Sequence, residues 1–232
     1  MSKVMRIKFT KYGDMIYISH LDVQRLFQRV FRRAGIELTF SQGFNPHPKM
    51  SYGNALALGI ESFGEYVDIE IEDDISPDEL IKRINSELPD GMEFVKCIQL
   101  QGGEKSLAAN IEYGKYEFII PNINKNDFEF INGKISEIIN MDEILVSKKN
   151  KKGKIVELNI RPLIIDLNVI GVDSDNLRIG GMLATGSKQN LNTNVFIPKL
   201  LEFLNLKIDH LDVDIKRNDL YFYIEGKFES PM

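Results

Sequence analysis

The sequence predicts an α+β fold in two domains, residues 1–103 and 104–232, with the first a ferredoxin-like β-α-β-β-α-β unit and the second an elaborated ferredoxin-like or related α+β unit. Three observations carry this. Period-two and helical patterning alternate through the first half, two helix starts are marked by capping residues, and the run Gln101-Gly102-Gly103-Glu104 reads as a boundary.

Taken in order, Met5 to Ile18 alternates as a strand or hairpin, with Tyr12-Gly13-Asp14 as a turn. Ser19 and Asp22 then form a variant capping box, and Val23, Leu26, Phe27, Val30, Phe31 and Ala34 recur at helical spacing until Gly35. Glu37 to Phe40 reads as strand and Ser41 to Lys49 as a rigid loop. Tyr52 to Ile60 leads into a strand at Tyr66 to Ile71. Ser76-Pro77-Asp78-Glu79 announces a second helix, with Leu80, Ile81, Ile84 and Leu88 inward, and Met92 to Leu100 is the closing strand.

The second half begins again with a strand at Tyr116 to Ile120, a helix from about Asn126 to Ile139 and a strand at Ile144 to Ser147. Lys148 to Lys154 reads as a charged hairpin tip. Strands follow at 155–160, 163–170 and 177–183, then a helix at 195–204 with Pro198 near its first turn, and strands at 211–216 and 220–224.

Composition excludes several classes of function. With 43% hydrophobic residues the chain can build a sizeable core, and it has no apolar run of the ~20 residues a membrane helix needs. The start, Met1 to Arg6, lacks a signal-peptide pattern, so a cytoplasmic location is expected. One cysteine, Cys97, cannot form an intramolecular disulfide, hold an iron–sulfur cluster or build a cysteine zinc site, and no metal or cofactor is expected.

Charge is uneven. Residues 1–60 hold nine Lys or Arg (Lys3, Arg6, Lys8, Lys11, Arg25, Arg29, Arg32, Arg33, Lys49) against Asp14, Asp22 and Glu37, on a chain whose formal net charge is −5. A basic segment on an acidic protein points to a local site for a polyanion, unless acids from elsewhere fold over it.

At about 100° per residue the first helix places Arg25, Arg29 and Arg32 opposite its apolar face, with Arg33 beside them. Planar guanidinium forks match phosphate oxygens, so the ridge fits a nucleic-acid backbone or an acidic partner; a merely solvated face is the plainer account. The segment Ser41 to Tyr52 adds Phe44 and Tyr52 as stacking rings, Gln42, Asn45 and Ser51 as hydrogen-bonding groups, and His47 and Lys49 between and after two prolines. A stiff connector with Phe44 plugged into the core is the competing account.

His20 and His47 together suggest a metal-independent ribonuclease, whereas capping and packing account for His20 equally well. The run Gly180 to Asn190 is a near miss to a phosphate loop, because Ser187 precedes Lys188; a backbone nest with Lys188 supplying charge stays open beside an ordinary loop. Asp68, Glu70 and Glu72 line one strand face, which reads as solvated surface before it reads as a Mg²⁺ site.

Tyr17-Ile18-Ser19-His20-Leu21-Asp22, the arginines at 25, 29, 32 and 33 followed by Ala34-Gly35, and Ser41-Gln42-Gly43-Phe44-Asn45-Pro46-His47-Pro48-Lys49 resemble the bacterial radical-SAM-linked proteins of unknown function. The resemblance extends more weakly through Arg161-Pro162 and Thr185-Gly186-Ser187, covering most of the chain. It implies a separate radical-SAM enzyme as partner, a stand-alone form lacking the three-cysteine cluster motif, and a setting in RNA or ribosome metabolism. It assigns no catalytic residue. The expectation is an RNA-binding accessory protein using Arg25, Arg29, Arg32, Arg33, Gln42, Phe44, Asn45, His47, Lys49 and Lys188. The alternatives are the ribonuclease and a protein-docking subunit.

Overall fold

A computed structural model describes residues 2–102, 106–123, 128–149 and 153–232, without the side chains of 148 and 149. The fold is α+β, with five α-helices among the described residues. It divides into two compact units, Met1–Ile111 with Arg217–Met232, and Glu112–Lys216.

In the first unit β1 (Lys3–Lys11) lies between β3 (Glu61–Ile71) and β4 (Met92–Leu100), antiparallel to both. The short β2 (Met50–Tyr52) pairs antiparallel with β3 at Val67–Ile69, which gives the ferredoxin-like order β4-β1-β3-β2. Helix α1 (His20–Arg33) starts where the Ser19 hydroxyl accepts from the Asp22 amide at 3.2 Å, and Gly35 at φ +69° ends it. Helix α2 (Pro77–Asn85) starts likewise on Ser76, with proline at its first position, and the one-turn α3 (Leu107–Asn110) comes after β4.

Met5, Ile7 and Phe9 of β1 pack with Val23, Phe27, Val30 and Phe31 of α1 in one core. Phe27 centres it, with ring centroids 4.9 Å from Phe9 and 5.1 Å from Phe94, so α1 is pinned by one aromatic cluster. Arg6, between those inward residues, bonds Asp68 through both carboxylate oxygens at 2.8 Å and donates to the Pro231 carbonyl at 2.9 Å.

Several elements depart from what the sequence predicts. Glu37 to Phe40 forms only isolated bridges, Leu38 to Ile71 and Phe40 to Pro48, and β2 takes the expected strand's place against β3. The single strand β10 (Asp214–Ile224) replaces two expected ones, and with β11 (Lys227–Glu229) it belongs largely to the first unit, on the β3 edge. Residues 217–232 therefore lie in the first unit, not in a domain spanning 104–232. Of the expected boundary and hairpin tip, residues 103–104 and 150–152 lie outside the described residues, as does the expected helix start at Asn126.

In the second unit β5 (Ile111–Ile120), β9 (Asn176–Ala184) and β8 (Ile164–Asp173) pair antiparallel in that order. Helices α4 (Phe128–Asn140) and α5 (Thr193–Phe203) supply Ile131, Ile135, Ile138, Phe196 and Leu200 to its core. Its elements run β-α-β-β-α, with the hairpin β6 (Leu145–Lys149) and β7 (Ile155–Asn159) inserted after the first helix. Pro198 lies well inside α5, beyond the first turn expected from sequence, and its exposed position limits the cost of the missing amide.

Candidate nucleic-acid interface

The four arginines of α1 differ in what holds them. All are exposed. Arg25 reaches Asp22 at 3.3 Å, and Arg33 bonds the Glu87 carboxylate at 2.9 Å and the Glu87 carbonyl. Arg29 and Arg32 have no hydrogen-bond or ion-pair partner among the described residues. Ion pairs this exposed contribute little, so Arg25 and Arg33 are positioned by their acids without being neutralised by burial.

The proline loop is held as a closed hairpin. Ser41 N donates to the His47 carbonyl at 2.9 Å, His47 N to Ser41 Oγ at 3.1 Å, and Lys49 N to the Thr39 carbonyl at 2.9 Å. Both stems are tied to one residue of β3, Thr39 N donating to the Glu70 carbonyl and Glu70 N to that of Lys49. His47 Nδ1 lies 3.0 Å from Ser41 Oγ, so this ring helps lock the turn. Gly43, at φ +136°, takes the one backbone conformation at the tip that other residues resist.

At that tip Phe44 is fully exposed, which removes the account in which it plugs the core. Gln42 and Asn45 are exposed beside it. Lys49 pairs with Glu70 at 2.9 Å, and the Ser2 hydroxyl together with that ammonium holds the Glu70 carboxyl below its usual range. Asp68 and Glu70 are thus engaged by Arg6 and Lys49. Among the described residues no group of His, Cys, Asp and Glu could hold a metal ion.

The groove between the two features escaped sequence analysis. It measures about 640 Å³ and is lined by Gln28, Phe31 and Arg32 of α1, Gly35 to Leu38 after it, and Phe40, Pro46 and Pro48 of the loop. Arg32 and the proline loop therefore share one concave wall. The signal in the sequence was Phe40, an aromatic residue just ahead of the loop, but strand patterning absorbed it.

His20 and His47 keep different company. His20 Nε2 lies 2.9 Å from the Gln24 side-chain amide and its ring meets Tyr52 edge-on at 5.2 Å. Burial holds His20 below its ordinary value, opposed by Glu65 and assisted by Lys11. Neither imidazole is hydrogen-bonded to the other among the described residues.

That neighbourhood of His20 is a second charged cluster, also missed. Arg217 grips Glu65 through Nε at 2.8 Å and Nη2 at 2.6 Å and donates to the Asn54 carbonyl at 3.0 Å. Lys11 Nζ donates to the Ile18 carbonyl at 2.9 Å, and burial lowers its pKa. The Tyr52 hydroxyl is buried here with no hydrogen-bond partner among the described residues, and its ring packs on Phe27 and His20, where it is not free to stack on a base.

Lys188 is exposed, in the second unit. Gly180 and Gly181 belong to β9, and their missing side chains answer to packing: a Cβ on Gly181 would stand 2.9 Å from Leu167 Cδ2 and one on Gly180 2.8 Å from Asn168 Oδ1. The amides of Thr185, Gly186 and Leu191 bond to Glu112, Gln189 and Ala184 carbonyls, which leaves those three unavailable to a phosphate. Among the described residues no helix is long and apolar enough to cross a membrane.

No curated protein matches the chain. Among solved structures it is similar to an unknown protein from Galdieria sulphuraria at 9% identity, covering 97% of this chain and 100% of that one, with a TM-score of 0.29. It is also similar to a putative glycine cleavage system transcriptional repressor at 10% identity, covering 93% and 95%, with a TM-score of 0.21. Likeness at that level carries no argument about this chain. A family model does match, over residues 5–193, a span that includes α1, the proline loop and most of both units, so the chain belongs to the family of uncharacterized proteins conserved in bacteria described as DUF2344.

Proposed function

We propose that this chain is a cytoplasmic RNA-binding accessory protein that works with a separate radical-SAM enzyme, in RNA modification or ribosome-related metabolism. The observation that carries the RNA part is the pair Arg29 and Arg32, exposed and without carboxylate partners among the described residues, on the ridge whose neighbour Arg33 is already oriented by Glu87. Unneutralised guanidiniums on one helix face release counterions when they meet phosphates, which favours a polyanion over a neutral ligand. The radical-SAM part is supported by the sequence resemblance carried by Tyr17 to Gly35 and Ser41 to Lys49.

In this reading Arg25, Arg29, Arg32, Arg33 and Lys49 hold phosphates, while Phe44, Gln42 and Asn45 at the loop tip meet bases or the partner enzyme. His47 serves mainly to fix the loop through Ser41. Affinity for single-stranded RNA should fall steeply between low and moderate salt, and Arg29→Glu with Arg32→Glu should weaken binding across sequences and flatten the salt dependence. RNA binding that ignores salt, or none at all, would overturn the reading. Cleavage of labelled RNA in EDTA, lost in both His20→Ala and His47→Ala, would instead make it a metal-independent ribonuclease. Co-purification with the enzyme that survives nuclease, with no RNA affinity, would make it a docking subunit.

A further inference from the structure

We infer that the groove between the end of α1 and the proline loop is a pocket for one unpaired nucleobase of the bound RNA, with Phe40 as its stacking face and Arg32 at its rim for the adjoining phosphate. This rests on the RNA reading above and adds the place where sequence or structure of the RNA is sensed.

The groove has the make-up of a small-ligand site. Its volume, about 640 Å³, falls in the usual range, and apolar walls from Phe31, Ile36, Leu38, Phe40, Pro46 and Pro48 enclose only three longer polar side chains, Gln28, Arg32 and Glu37. A nucleotide asks for this combination: two flat faces to bury, an edge with donors and acceptors, and one negative charge. Gln28 offers both a donor and an acceptor, and Glu37, whose side chain has no partner among the described residues, offers acceptors to ring or amino N–H groups.

Phe40 keeps 54% of its surface exposed although it sits on the pocket wall, an apolar area that folding leaves uncovered. The wall behind it is already rigid. The Phe40–Pro48 bridge and the Ser41–His47 hydrogen bonds fix its backbone, so a base docking there meets a pre-organised surface with little entropy left to lose. Two guanidiniums against one carboxylate, Glu37, favour a phosphate-bearing occupant over an apolar peptide: Arg32 lines the pocket and Arg29 lies one turn away, both without carboxylate partners among the described residues.

The test is fluorescence anisotropy of the full chain with a labelled mixed-sequence single-stranded RNA, across a salt series, using wild type, Phe40→Ala, Phe40→Leu and Arg29→Glu, each checked by thermal melting. Stacking is charge-independent, so Phe40→Ala and Phe40→Leu should weaken binding about tenfold at every salt concentration with the salt slope unchanged, whereas Arg29→Glu should reduce the slope. Loss of affinity in Arg29→Glu with none in either Phe40 variant overturns the pocket and leaves the RNA reading intact. Wild-type protein that binds no RNA removes both. Phe40 variants that bind RNA normally but no longer co-purify with the partner enzyme assign the groove to a protein, and overturn the inference.

Discussion

Arginine does opposite work in two parts of the first unit. Arg217 is sealed, its side chain 3% exposed against a Glu65 side chain at 8%, and every observed donor bond goes to protein acceptors. Arg29 and Arg32 stand in the open with no acid bound to either among the described residues. A guanidinium matched to a carboxylate in a dry interior is part of the scaffold, because its desolvation is offset only by that partner. One left unmatched at the surface keeps its charge available for something outside the chain. Presence of arginine therefore says little about binding; the state of its partner says more.

The largest effect is expected at Arg217. Arg217→Ala strands Glu65 as a buried charge and should cost about 3–5 kcal/mol in chemical denaturation, whereas Arg217→Met combined with Glu65→Leu should recover most of it. A single variant as stable as the wild type would show that the pair is solvated after all. The next effect has the other sign. Tyr52 buries a hydroxyl with no acceptor among the described residues, so Tyr52→Phe should raise stability by about 1 kcal/mol; a loss would reveal a partner for that hydroxyl.

A smaller, pH-dependent effect comes from His20. Its folded-state pKa lies below the unfolded value of about 6.5, so the stability of the neutral form is intact above that pH and lost as pH falls beneath it. Melting temperature should decline between pH 7 and 5.5, and less so in His20→Gln. Least of all, Arg29→Glu and Arg32→Glu should shift stability by no more than about 0.5 kcal/mol while changing RNA affinity, since neither charge has a partner among the described residues. A large loss of stability there would erase the distinction between the two regions.

Local signals carried much of the first unit. Ser19 and Ser76 mark both helix starts, and the apolar spacing of Val23, Phe27 and Val30 marks the buried face of α1. The arginine ridge followed from the same arithmetic. What stayed hidden depends on distant pairings: Glu65 and Arg217 lie 152 positions apart, and no local pattern couples them. Glu37 to Phe40 misled because alternation says a segment is extended without saying that it finds a ladder; Pro48, lacking an amide, limits what Phe40 can pair with. The groove was illegible for a related reason, since it exists only where the turn after α1 faces the returning stem of the loop.

The return of residues 217–232 to the first unit has a consequence for how the protein is made. During translation, the strand that carries Arg217, Leu220 and Phe222 leaves the ribosome only after every residue from 112 to 216. Until then Glu65 is a nascent carboxylate awaiting its mate, and Tyr66, Leu107 and Ile111 lack the apolar cover that Leu220 and Phe222 bring. Maturation of the first unit thus waits on the tail, and a chain cut short before residue 217 would carry α1 and its loop, fully written, on an unfinished sheet.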